Sequence, residues 1–126
     1  MNAIAIAQNA YGANARTLKT PRDIEYDVLA RITGRLQKAL ADTGPTAFPA
    51  LAAAMHENIR LWTAFAIDLA DSGNAFPRPL RAQLFYLAEF VLQHTPKVLN
   101  GSAKADALVD INLAVMRGLR GQRAGA

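Results

Sequence analysis

The sequence predicts an all-α fold, a single compact bundle of four main helices. Three observations carry this. Apolar residues recur at three- and four-residue spacing over long stretches, the period of an α-helix. No alternating apolar/polar run long enough for a strand occurs. Clusters of Gly, Pro, Asn and Asp punctuate the chain where helices should turn back. At 126 residues the length suits one domain with a real core.

Residues 1–19 hold Tyr11 as their one large aromatic among alanines and asparagines and read as a flexible arm or short helix. The bundle domain is expected over 20–119. Thr20 can cap, Pro21 fits the first helical position and Asp23 completes the capping pattern. Ile24, Val28, Leu29, Ile32, Leu36 and Leu40 then form one stripe, so the first helix runs from Pro21 to about Ala41.

The second helix begins near Thr46–Pro49 and reaches about Ala70, with Leu51, Met55, Asn58, Trp62, Phe65 and Leu69 on one face. "DSGNAFPRP" breaks the chain. The third helix spans roughly Pro79 to Thr95, with Pro96 marking its end. It is apolar nearly all round, which suits a central helix or one covered by a partner. The fourth runs from about Ser102 to Met116, with Leu108, Ile111, Val115 and Leu119 inward and Gly118 at the expected C-cap. Residues 120–126 read as a disordered basic tail, since Arg117, Arg120 and Arg123 follow the last acid, Asp110.

Composition narrows the function. There is no cysteine, which removes disulfides and thiolate chemistry. No apolar run approaches the ~20 residues of a membrane span, and the N-terminus lacks the charge pattern of a secretory signal. A soluble, cytoplasmic protein without membrane contact is expected. His56 and His94 lie on different helices, "HENIR" lacks the second histidine of a zinc helix, and the two serines, Ser72 and Ser102, sit in turns. The chain is read as a non-enzyme with no cofactor and no metal. The net charge of +4 is modest, and basic residues without interleaved aromatics make a poor nucleic-acid footprint.

Asn58 sits one turn before Trp62 on an apolar stripe. A buried amide must be satisfied, and two partners are open to it: the backbone of an interhelical loop, such as "SGNAFP", or Asn112 on the fourth helix. Asn58, Trp62 and Asn112 are therefore read as structural. Partner-binding candidates come from the apolar surplus. Tyr86 and Phe90 on the third helix, with Leu113 and Met116 on the fourth, are expected to form one exposed patch, and Tyr11 of the arm can contact or cover it.

Taken in order, these residues resemble the FlaF family of flagellar biosynthesis proteins. The likeness begins at Tyr11, continues through Pro21-Arg22, Glu25 and Leu36, and is most specific at Asn58, Leu61 and Trp62, an Asn-x-x-Leu-Trp pattern. Pro77, Leu80-Arg81, Leu84, Leu87 and Phe90-Val91 extend it, and Ile111-Asn112 with Gly118-Leu119 close it. The resemblance implies a role in flagellum assembly: a chaperone-like protein that binds flagellin in the cytoplasm and supports its synthesis and export, in balance with a second regulator, FlbT. The competing class is a post-transcriptional regulator that binds flagellin mRNA. A self-associating protein, with the third helix covered by a second copy, is a third reading.

Overall fold

The computed structural model describes the backbone of residues 21–125 and the side chains of residues 26–118. Among the described residues four helices follow one another: α1 (Pro21–Ala41), α2 (Ala47–Ala70), α3 (Arg78–Leu99) and α4 (Asp106–Gly125). No strand is present among the described residues. Short connections make neighbours antiparallel, in up-down-up-down order. α2 packs against α1 and α3, and α1 packs against α4, whereas α3 and α4 approach each other only weakly. The arm with Tyr11, and the Thr20 and Ile24 side chains, lie outside the described residues.

Local chemistry explains each reversal. After α1, the Gly44 N–H donates to the Asp42 carboxylate at 2.8 Å, an Asx turn. Pro49 lies in the first turn of α2, where its missing N–H has no intrahelical partner to lose. After α2, Asn74 Nδ2 donates to the Asp68 carbonyl at 3.1 Å, and the Phe76 N–H donates back to Asn74 Oδ1 at 2.9 Å. This seats Phe76 in the core. Arg81 reaches from α3 to the end of α2. Its Nε and Nη2 donate to the Leu69 carbonyl at 3.1 and 3.0 Å, and Nη2 also reaches the Asp71 carbonyl at 3.2 Å. A cation on the free carbonyls of a helix C-terminus satisfies groups that lack intrahelical partners.

Three expected boundaries are corrected. Pro96 lies inside α3, which continues to Leu99. A proline one turn from a helix end removes a single backbone hydrogen bond, so the helix survives it. The chain reverses at Gly101, whose φ of +85° favours glycine. Ser102 serves that turn, its hydroxyl donating to Asn100 Oδ1 at 2.6 Å, so α4 starts at Asp106 rather than Ser102. α4 also passes through Gly118, which is no C-cap, and the stretch expected as a disordered tail is helical backbone as far as Gly125. An isolated glycine costs a helix only about 1 kcal/mol.

The core follows the stripes. Leu29, Ile32 and Leu36 of α1, Met55, Trp62, Phe65 and Leu69 of α2, Leu84 and Val91 of α3, and Leu108 and Val115 of α4 are buried. Leu40, counted inward from its spacing, is 39% exposed because α1 ends one residue later. Trp62 and Phe65 pack with ring centroids 5.6 Å apart. Outside, Glu57 of α2 ties to Arg31 at 3.2 Å and to Arg35. Such exposed pairs contribute about 0–1 kcal/mol.

Candidate functional site

Trp62, Asn58 and Asn112 meet at the centre of the bundle. All three are fully buried. Trp62 Nε1 donates to Asn112 Oδ1 at 2.9 Å, and Asn112 Nδ2 donates to Asn58 Oδ1 at 2.8 Å. Of the two partners open to Asn58, the structure places Asn112 against it. The chain of bonds joins α2 to α4, two helices that share no close backbone contact and face each other across the core. Asn58 Nδ2 and Thr33 Oγ1 are buried without a hydrogen-bond partner among the described residues. The network suits registry of helices rather than reaction chemistry: it holds no nucleophile and no titratable group.

Among the described residues, the seam between α3 and α4 is open. There the first turns of α3 and the middle of α4 bound a groove of about 230 Å³, lined by Leu80, Gln83, Leu84, Leu87, Ala114, Val115 and Gly118. The sequence explains the opening. α3 contributes three leucines, while α4 answers with small residues that do not fill the space between two helices. A Cβ added at Gly118 would meet nothing within 4 Å. Tyr86, 68% exposed, stands at the rim, where it bounds a shallow hollow with Ala82, Gln83 and Leu87.

The other end of the seam is closed. His94 Nε2 lies 2.8 Å from the Lys104 carbonyl; a carbonyl only accepts, so this nitrogen carries the proton. The Phe90 ring stacks on His94, centroids 5.0 Å apart and planes 17° apart. α3 is thus pinned to the start of α4 at one end and splayed from it at the other.

The expected four-residue patch does not form. Tyr86 and Phe90 lie on the outer side of α3, one free and the other half-buried on His94. Leu113 and Met116 are half-buried and packed against the core. At about 100° per residue they lie roughly 150° around α4 from the centre of Ala114, Val115 and Gly118, on the flank turned towards α1. Sequence reasoning counted apolar residues correctly but could not order the helices around the bundle. It also passed over Leu80, Gln83, Leu87, Ala114 and Gly118 as groove lining. The available signal was the Ala114-x-x-x-Gly118 pair, two small residues one turn apart opposite a leucine stripe.

Among the described residues no group of three or more His, Asp or Glu could hold a metal ion, and no helix is long and apolar enough to cross a membrane. The groove itself has uncharged walls, with one amide at Gln83 and one phenol, Tyr86, at the rim.

The chain matches the family model described as flagellar protein FlaF over residues 7–119. No curated protein and no solved structure matches.

Proposed function

From the premise that this chain belongs to the FlaF family of flagellar proteins, we propose that it is a non-catalytic partner of flagellin in the cytoplasm, binding it before export and supporting its synthesis and secretion. The observation that carries this reading is the uncharged, leucine-walled groove between α3 and α4. An amphipathic helix buries its apolar face in such a groove, and small residues on one wall let the incoming backbone approach closely. Flagellin's terminal helices, which polymerise once outside the cell, are the segments a chaperone of this kind would mask. Tyr86 at the rim offers an apolar ring with a polar tip, a side chain enriched at protein interfaces.

The test is direct binding of purified flagellin to the purified chain across a salt series. Apolar burial predicts an affinity that holds or tightens as salt rises. A steep loss with salt is the signature of phosphate contacts; it would favour the mRNA reading and overturn this one.

A further inference from the structure

We propose that residues 1–19 of this same chain are the resident occupant of the α3–α4 groove, and that a client helix binds by displacing them. The docking is independent of the flagellin reading; only the displacement rests on it.

The topology puts the segment in reach. α1 starts at Pro21, and the up-down order places that residue at the same end of the bundle as the first turns of α3, which form one wall of the groove. Neighbouring helix axes lie about 8–10 Å apart, so the groove is roughly 15–20 Å from the start of α1. Nineteen residues cover about 28 Å even if wholly helical and more than twice that extended.

The chemistry agrees. The groove walls carry no charge, and residues 1–15 contain no Asp, Glu, Lys or Arg. Ile4, Ile6 and Tyr11 supply apolar contacts, and six alanines between Ala3 and Ala15 allow close approach to Ala114 and Gly118. Ile4, Ala7 and Tyr11 also fall on one stripe at helical spacing. The family match begins at residue 7, fourteen residues before α1. Most of this segment thus belongs to the family's domain rather than to an appended tail.

The chain has no cysteine, so Ala10→Cys in the full-length protein provides a single thiol for a nitroxide label. Methyl NMR, without flagellin, should show broadening centred on Leu80, Leu84, Leu87 and Val115 that vanishes when the nitroxide is reduced. Absent broadening, or broadening centred on α1 or α2, would overturn the docking. So would full broadening in a mixture with label and isotope on different molecules, since a second copy would then be the occupant. Adding flagellin should release the broadening. Flagellin that binds and leaves the broadening intact would overturn the displacement while leaving the docking and flagellin binding in place. Flagellin that does not bind would overturn the proposed function and the displacement with it, and would leave the docking untouched.

Discussion

Asn112→Leu should be among the most damaging conservative-volume changes in this protein. Asn112 makes both bonds of the central network, to Trp62 Nε1 at 2.9 Å and to Asn58 Oδ1 at 2.8 Å. Its removal leaves a buried N–H and a buried carbonyl oxygen with no route to water, each costing about 1–3 kcal/mol. The new leucine returns about 1–2 kcal/mol of apolar burial. The net loss is then roughly 2–4 kcal/mol, a large share of the ~5–15 kcal/mol of a typical domain. Asn58→Leu should cost less. It strands only Asn112 Nδ2, and it removes an amide nitrogen that already lacks a partner. The single variants strand three groups between them and the double variant strands only the Trp62 N–H, so the two changes should be non-additive by about 2 kcal/mol or more in the mild direction. Urea titration followed by far-UV circular dichroism measures all three, with an unchanged slope showing that the unfolded state is the same. An Asn112→Leu variant within ~0.5 kcal/mol of wild type, or strict additivity in the cycle, would refute the assignment of the network as a brace between α2 and α4.

Three further outcomes follow from the packing. Trp62→Ala should destabilise by about 3–5 kcal/mol through the cavity it leaves; a variant that melts like wild type but loses a partner would move Trp62 from core to interface. Gly101→Ala should cost about 1–2 kcal/mol in melting experiments, because φ at +85° is strained for any side chain. Arg81→Ala should lower stability by about 1–2 kcal/mol by uncapping α2, and hydrogen exchange should rise first over the segment Leu69–Phe76; uniform exchange would contradict the cap.

The parts legible in the sequence are those that depend on periodicity within one helix. α2 reads correctly because its inward face repeats without interruption from Met55 to Leu69. The Asn58–Asn112 contact was within reach because a buried amide must find a partner, and Asn112 was one of the two open to Asn58, beside an interhelical loop backbone. What failed depends on balances or on three-dimensional order. Pro96 and Gly118 read as terminators, but a single lost bond is outweighed by burial of Val98 at the end of α3, and a single glycine costs a helix too little to end it. The misplaced patch is the sharper case. Leu113 and Met116 are as apolar as their neighbours, and only the placement of α1 beside α4 decides that they face inward. The groove was signalled by Ala114-x-x-x-Gly118, but only the order of the helices in space shows that this pair faces the α3 leucines.

Gly118→Leu tests the central claim most directly. The side chain enters open space, fills the groove between Ala114 and the α3 leucines, and replaces glycine within a helix, which favours stability by up to about 1 kcal/mol. The measurement is the affinity of the purified variant for purified flagellin by calorimetry, beside its melting temperature. The account predicts a melting temperature equal to or above wild type and at least a tenfold loss of affinity. Wild-type affinity in a folded variant with a filled groove would contradict it.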